Sequence, residues 1–496
     1  MKLGAIAAGA GLPLAADAEQ LVTGFAIDHR KVAPGTVFGA FQGAKVNGED
    51  FIPAAVSAGA VAIVARPEVR VEGAVHFADV TPRRAFAHLA AQFFAPVPEV
   101  VVAVTGTNGK TSTVELTRQL WRLTGHRAAS IGTLGVTTAD ESVSTGLTTP
   151  DIVTFLATMS GLAREGVTHV AYEASSHGLS QYRNEGLKVV AGAFTNLSRD
   201  HLDYHSSMED YFGAKMRLFD EVVCDGGTAV IWADDAWSAQ AEEHARKRGL
   251  RVFTVGEKGD AIRLLAREPG QLGQLLEVEY EGVSRKFTLP LIGAYQAANA
   301  LVAAGLVLAV GGDARSTFDG LTRLQPVRGR LERAATSRSG APIYVDYAHT
   351  PDALEAAIAA LRPHAKGRLI VVFGAGGDRD RGKRPEMGRV AATRADLAIV
   401  TDDNPRGEDP AAIRAEVLAG ARDEQRNAGT IREIGDRRAA IAAAIAEAGK
   451  DDIVLIAGKG HEQGQIVGSG DAMRVLPFDD VAVAGQCAGG GEGEDE

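Results

Sequence analysis

Thr105-Gly106-Thr107-Asn108-Gly109-Lys110-Thr111-Ser112 is the stretch whose residue types and spacing most directly imply chemistry. It follows the apolar run Val100–Thr105 and precedes an amphipathic stretch over 111–123. A glycine loop between a strand and a helix points its backbone N–H groups at phosphate oxygens. Gly106, Thr107, Asn108, Gly109 and Ser112 would cradle the phosphates, Lys110 would reach the β- and γ-phosphates, and the Thr111 hydroxyl would ligate Mg²⁺. The strict pattern G-x-x-x-x-G-K-[ST] fails, because Val104 holds the first glycine position. A glycine-rich turn without a ligand is the plainer alternative, but the order strand, loop, helix favours a nucleotide.

Other polar clusters punctuate the chain. Glu173 and Ser175 stand in Tyr172-Glu173-Ala174-Ser175-Ser176-His177-Gly178-Leu179, and His201 in Asp200-His201-Leu202-Asp203-Tyr204-His205. Glu173 offers a hard oxygen ligand for Mg²⁺. A histidine such as His201, met alone, is ordinarily a helix cap or a core residue, and a lysine such as Lys215 a solvated helix residue. Arg183 and Arg406 carry guanidinium forks that match carboxylates. Asp403-Asn404-Pro405-Arg406 is a turn by its Asn-Pro step, with the arginine either solvated or turned to a ligand.

The elements that must hold these residues are short. Runs at Val100–Thr105, 169–174, 189–195, 228–232, 343–346, Leu369–Phe373, Leu397–Val400 and Ile453–Ala457 read as strands with helical stretches between them. Alternating β and α predicts parallel sheets covered by helices, and polar clusters after the strands are where such sheets bind ligands. With 496 residues, two to four domains are expected. Pro96 and Pro98 mark one linker, and Gln325-Pro326-Val327-Arg328-Gly329-Arg330 another. The reading is an α/β chain with domains at 1–95, 96–330 and 331–496, the last ending in a low-complexity acidic tail over 489–496 expected to be disordered.

Composition narrows the function. Fifty-two basic residues against 63 acidic ones give a net charge of -11, which argues against nonspecific nucleic-acid binding. Cys224 and Cys487 are the sole cysteines, so neither a disulfide framework nor a cysteine zinc site can be built, and a cytoplasmic setting fits. No apolar run approaches a membrane span, and the Ala/Gly-rich beginning is expected to be a short helix of a folded domain rather than a signal peptide.

The loop T-G-T-N-G-K-T-S resembles the ATP loop of the Mur ligases, the ATP-dependent amide-bond ligases that build the peptide of the bacterial cell wall. The resemblance runs along the chain through Glu173–Leu179 residues E-A-S-S-H-G-L, N-L-S-R-D-H-L-D-Y-H at 196–205, Lys215, Asp346-Tyr347-Ala348-His349-Thr350-Pro351, Gly376-Gly377-Asp378-Arg379-Asp380, Asp403-Asn404-Pro405-Arg406 and Gly458-Lys459-Gly460-His461-Glu462. It implies an N-terminal α/β domain for a uridine nucleotide, a central P-loop-type, mostly parallel ATPase domain and a Rossmann-like C-terminal domain. It also implies the member that adds meso-2,6-diaminopimelate to UDP-N-acetylmuramoyl-L-alanyl-D-glutamate through an acyl phosphate, using ATP and Mg²⁺ in the cytoplasm as a monomer.

By the same resemblance Thr111, Glu173, His201 and a Lys215 carbamylated by CO₂ support the metal, with Lys110, Lys215 and His201 catalytic. Asn299, Arg330 and His349 join the ATP site. Ile27, His29, Thr148, Thr149, Ser175, Gln181 and Arg183 would hold the sugar-nucleotide dipeptide; His29 stands where the family often has serine. Arg379, Asp403, Asn404, Pro405, Arg406, Gly458 and Glu462 would hold diaminopimelate. Related ligases, a P-loop motor and a non-catalytic homologue are the rivals. The D-N-P-R string, the acidic charge and the intact Lys110, Glu173, His201 and Lys215 respectively disfavour them.

Overall fold

A computed structural model describes all residues except 14–16, 44–45, 140, 144–147, 271–272, 423–428 and 490–496. Most of the expected acidic tail therefore lies outside the described residues. Gly489 itself ends a helix, Asp480–Gly489, and does not belong to that tail.

Three sheets organise the chain. The first is parallel throughout, with strands Gly24–Ala26, Thr36–Gly39, Ala62–Ala65 and Val75–Ala78 in that order. Leu3–Gly9 is a helix whose Leu3, Ile6 and Ala7 are buried; it packs with the helix Pro82–Phe93 on one face of this sheet.

The central sheet has eleven strands. Its middle is parallel: Ile262–Gly270, Arg251–Gly256, Val223–Trp232, Val189–Phe194, Val100–Thr105, His169–Glu173 and Ala128–Gly132 lie side by side. Antiparallel strands extend both edges, Gly273–Tyr280 and Val283–Leu289 on one side, Gly135–Thr137 and Ser142–Val143 on the other. Strand Val100–Thr105 explains why an unbroken apolar run was needed. Val101 and Ala103 enter the core on one face, Val102 and Val104 the core on the other. A strand buried on both faces has no polar alternation to show.

The C-terminal sheet repeats the logic. Its order is Glu332–Thr336, Pro342–Asp346, Ile453–Ala457, Leu369–Phe373, Leu397–Val400 and Thr430–Glu433, parallel except for the first pair. Leu369, Val371 and Phe373 face one core, Ile370 and Val372 the other. A small antiparallel pair, Gly464–Val467 with Arg474–Pro477, stands beside it. No described helix is long and apolar enough to cross a membrane.

Candidate active site

The phosphate loop leaves the carboxyl end of Val100–Thr105 and opens the helix Lys110–Leu123. Gly106 and Gly109 have φ of +146° and +86°. A Cβ on Gly106 would lie 2.0 Å from Thr195 Oγ1, and one on Gly109 2.3 Å from Asn299 Oδ1, so both conformation and space require glycine. The neighbouring strand end fixes the loop. Asn196 Oδ1 accepts from Asn108 N at 2.8 Å, Thr195 Oγ1 donates to Asn108 O at 2.6 Å, and Thr107 Oγ1 donates to Ser198 O at 3.2 Å.

Two lysines converge on this loop. Lys110 Nζ donates to Gly106 O at 2.9 Å and Thr107 O at 2.7 Å; Lys215 Nζ donates to Gly106 O at 2.7 Å. Lys215 is only 1% exposed and lies over the Tyr211 ring at 4.2 Å. Desolvation, reinforced by Lys110, holds its amine well below the ordinary lysine range. Desolvation also lowers Lys110, against the pull of Glu173 and Asp200.

Glu173 ends the strand His169–Glu173 and is 1% exposed. Its Oε1 accepts from Thr133 N at 2.7 Å, and it has no ion pair among the described residues. The space beside it is shaped for this carboxylate: a Cβ on Gly132 would meet Oε1 at 2.2 Å. His201, at φ +55°, lies near the His177 ring, with centroids 5.1 Å apart. Desolvation in the cleft keeps its imidazole below the ordinary range, opposed by Asp200 and aided by Lys110 and Lys215. The neutral ring therefore keeps a lone pair. No group of three His, Cys, Asp or Glu side chains surrounds one point among the described residues. The donor set instead suits Mg²⁺, which takes one or two protein oxygens and completes its shell with phosphates and water.

The C-terminal sheet closes onto this site. Arg330 Nη2 donates to Thr111 Oγ1 at 2.9 Å, and its guanidinium lies over Tyr347 at 4.5 Å. Asn299 Nδ2 donates to Gln296 Oε1 at 3.4 Å, while Gln296 Nε2 donates to Arg330 O at 3.0 Å. His349 Nε2 stands 4.0 Å from Asp200, and burial holds its imidazole at about 4.

On the other side of Glu173, Thr149 Oγ1 donates to Glu173 O at 3.0 Å and contacts Ser175 Oγ at 2.9 Å. Arg183 Nη1 donates to Thr149 O at 2.9 Å and Nη2 to Gln181 Oε1 at 2.7 Å. Thr148 accepts from Thr133 Oγ1 at 3.2 Å. Ile27, Gln181 and Arg183 line one cavity of about 70 Å³ with Phe41, Arg83 and Asp151. Arg83, which the sequence reading did not single out, is thus brought beside Arg183. His29 is stacked on Phe51 at 4.1 Å and so presents a ring, not a hydroxyl.

Three loops at the carboxyl ends of the C-terminal strands form the last group. Arg406 Nη1 donates to Gly377 O at 3.0 Å and Arg379 Nη1 to Asp378 O at 2.9 Å. Desolvation and then the charge of Arg379 lower the Arg406 pKa, and both side chains lie beside Gly376. Asn404 Nδ2 donates to Glu462 Oε2 at 2.8 Å. Lys459, fully buried, donates to Asn404 Oδ1 at 2.8 Å and Gly464 O at 2.9 Å and stands 3.4 Å from Asp403. Gly458 has φ +120°, and a Cβ there would lie 2.8 Å from Asp403 Oδ2. Pro405 holds its carbonyl against Gly377, where a Cβ would be 1.9 Å away.

Beneath these loops Arg437 and Asp480 form an ion pair with neither side chain exposed. Arg437 also donates to Ala457 O at 3.0 Å and Asp402 O at 3.3 Å, the residues preceding Gly458 and Asp403. The sequence reading missed Lys459 as a bridge and Arg437 and Asp480 altogether. Their partners are remote in the chain, and nothing local signals them.

Residues 21–100 match "Mur ligase family, catalytic domain", 104–307 "Mur ligase middle domain" and 329–460 "Mur ligase, glutamate ligase domain". The UDP-N-acetylmuramoyl-L-alanyl-D-glutamate–2,6-diaminopimelate ligase of Zymomonas mobilis is 64% identical over 97% of this chain and 98% of its own. The ligase of the same name from Bradyrhizobium diazoefficiens is 54% identical over 92% of this chain and 93% of its own. A solved structure bearing that ligase name superimposes with a TM-score of 0.71 at 32% identity, covering 99% of both chains. The fold is shared further, with MurF ligase from Thermotoga maritima in complex with ADP, at a TM-score of 0.59 and 19% identity over 88% of this chain and 94% of that one. The chain belongs to the Mur ligase family.

Proposed function

We propose that this protein joins meso-2,6-diaminopimelate to UDP-N-acetylmuramoyl-L-alanyl-D-glutamate at the expense of ATP. The observation that carries the reading is the pair Arg379 and Arg406 on loops braced by Asn404, Glu462 and Lys459. The 64% identity to a relative of that name supports it. The site would lie in the cleft between the second and third of three domains, 1–95, 96–330 and 331–496, in a monomeric cytoplasmic enzyme acting on small molecules and not on nucleic acid or membranes.

A carboxylate becomes an electrophile once it carries a leaving group. The substrate carboxylate takes the γ-phosphoryl group of ATP, giving an acyl phosphate and ADP; the amine of diaminopimelate then displaces phosphate. Gly106, Thr107, Asn108, Gly109 and Ser112 cradle the triphosphate, and Lys110 neutralises charge developing on the γ-phosphoryl group. Asn299, Arg330 and His349 complete the nucleotide shell. Ile27, His29, Thr148, Thr149, Ser175, Gln181 and Arg183 hold the sugar-nucleotide dipeptide. Arg379, Asp403, Asn404, Pro405, Arg406, Gly458 and Glu462 hold the amino acid.

Thr111, Glu173 and His201 would hold Mg²⁺, whose chemistry when bound is to neutralise phosphate charge. Lys215 is assigned as the lysine that accepts CO₂: its neutral amine forms the N–C bond and releases a proton, turning a repelled cation into a carboxylate-like oxygen donor. Lys215→Ala activity restored by short-chain carboxylates is the expected result; a fully active Lys215→Ala would refute the carbamate.

Phosphate release with UDP-muramoyl dipeptide, ATP and a varied third amino acid tests the whole reading. Meso-diaminopimelate should support turnover. L-lysine lacks the far carboxylate and would leave the half-buried Arg406 without an anion, a penalty at the low end of about 2–5 kcal/mol, roughly 30-fold. Comparable use of both would overturn the role of Arg406 and leave the ligase.

A further inference from the structure

Two basic residues open the helix Lys383–Arg394, and both are buried. They are treated very differently. Arg384, 0% exposed, meets Glu408 at 2.7 Å, Glu416 at 2.8 Å and the Gly376 carbonyl at 3.1 Å. Lys383 is 5% exposed yet makes no side-chain hydrogen bond and no ion pair with any described residue. A cation at a helix N-terminus opposes the helix dipole, and a buried charge without a partner is strongly unfavourable. Among the described residues nothing compensates this ammonium at contact distance.

Its surroundings indicate what would. The charges around it belong to both walls of the cleft: Asp200 from the central sheet, and Asp403, Asp380 and Arg379 from the C-terminal loops. His349 feels its charge as well. Lys383 therefore stands where the nucleotide side and the amino-acid side meet. On the amino-acid side the Arg379 and Arg406 side chains both lie beside Gly376. A compact ammonium with three donors suits a tetrahedral phosphoryl group.

We propose that Lys383 is a catalytic residue whose ammonium binds the phosphoryl oxygens of the acyl phosphate as the amide forms. The inference rests on the ligase reading above. The amine nitrogen forms the C–N bond, the carbon–oxygen bond to phosphate breaks, and its electron pair leaves on phosphate, which also takes the proton lost by nitrogen. Negative charge grows on the departing phosphate in that step, and Lys383 meets it there.

Lys383→Met tests this against two other roles. Diaminopimelate-dependent phosphate release by the wild-type enzyme first establishes the ligase reading; its absence would sink that reading and not the lysine. In the variant, kcat should fall roughly 10²–10³-fold. Binding of ATP and KM for diaminopimelate should each stay within about threefold. The unfolding midpoint should hold or rise, because a charge without a partner has been removed. Lys383→Gln, which keeps a polar side chain, should lose kcat equally. Near-normal kcat in either variant overturns the proposal. A fall in the unfolding midpoint that accounts for the lost activity assigns a structural lysine instead. An effect confined to KM for diaminopimelate assigns a carboxylate contact and also overturns it.

Discussion

The phosphate loop and the amino-acid loops face each other across one cleft but are built in opposite ways. The phosphate loop is one contiguous segment held by backbone, amide and hydroxyl hydrogen bonds to the adjacent strand end, and its lysine turns back onto its own carbonyls. The amino-acid side is assembled from three segments that meet only in the folded chain, and charge ties them together. Lys459 joins Asn404 to Gly464, and Arg437 joins the backbones ahead of Asp403 and Gly458 while pairing with Asp480. The difference follows from the ligands proposed for each. A phosphate chain is common to every reaction of this type and can be met by main-chain donors. Selecting one amino acid by its far carboxylate needs guanidinium groups, and the loops that present them need a rigid frame, which the buried Arg437–Asp480 pair supplies beneath them.

The comparison is broken most severely by removing a counter-charge. Asp480→Ala leaves Arg437 buried with two carbonyls and without its ion-pair partner, Asp403 and Glu462 acting only from farther away. Losing one partner of a fully buried pair costs about 3–5 kcal/mol, whereas replacing both by apolar residues of similar volume costs far less. Urea unfolding of Asp480→Ala beside the double variant Arg437→Met with Asp480→Leu measures this. Equal destabilisation of the two would mean that packing, and not the unpaired charge, holds the loops.

Next in size is the phosphate side. Lys110→Ala should reduce kcat by about 10²–10³-fold, the scale of losing one charge-stabilising donor, roughly 2.7–4 kcal/mol of barrier. Because the hydrogen bonds of Lys110 to described residues go to carbonyls of its own loop, the unfolding midpoint should barely move. Here stability and activity separate, whereas Asp480→Ala couples them. An active Lys110→Ala would remove this loop from the reaction.

The same contrast explains what the sequence could tell. The phosphate loop was legible despite Val104 because strand, glycine turn and helix are contiguous and each leaves a local signature. The parallel strands were legible because burial on both faces demands unbroken apolar runs. The strand Ile262–Gly270 was not read: most of its residues are exposed, so its sequence, IRLLAREPG, carries no such run. The buried roles of Lys383, Lys459 and Arg437 were not read for the opposite reason. Each is a charged residue next to ordinary helical or turn sequence, where solvation is the usual state, and burial is decided by segments far away. Asp480 lies 43 residues from Arg437. Arg83 likewise becomes a site residue only through the packing that sets it beside Arg183.

The smallest effect expected is in acid, and it separates the two sides by pH. Glu408 accepts from Arg384 at 2.7 and 2.9 Å and from Asp378 N at 2.6 Å, bracing the segment that carries Arg379. The Arg384 hydrogen bonds, aided by that of Asp378, bring its carboxyl from 4.5 down to about 2. A carboxyl lowered on folding is charged in the native state where the unfolded chain has begun to bind protons. Its contribution is therefore complete above about pH 4.5 and is lost as pH falls towards 2. The carboxylate borders solvent, so screening holds this contribution to less than about 1 kcal/mol. Glu408→Gln should lower stability slightly at neutral pH and flatten its decline between pH 4.5 and 2; Glu416, which also pairs with Arg384, keeps a residual slope. The hydrogen bonds that fix the phosphate loop to the strand end come from Asn196, Thr195 and Thr107, none of which titrates, so nucleotide binding at the upper end of that window should change less than diaminopimelate binding. An acid titration of unfolding free energy for wild type and Glu408→Gln reads the first effect, and calorimetry with each ligand at pH 4.5 and 7 reads the second. Parallel acid curves for the two proteins would mean that Arg384 is held by Glu416 alone and that Glu408 only marks the rim of the site.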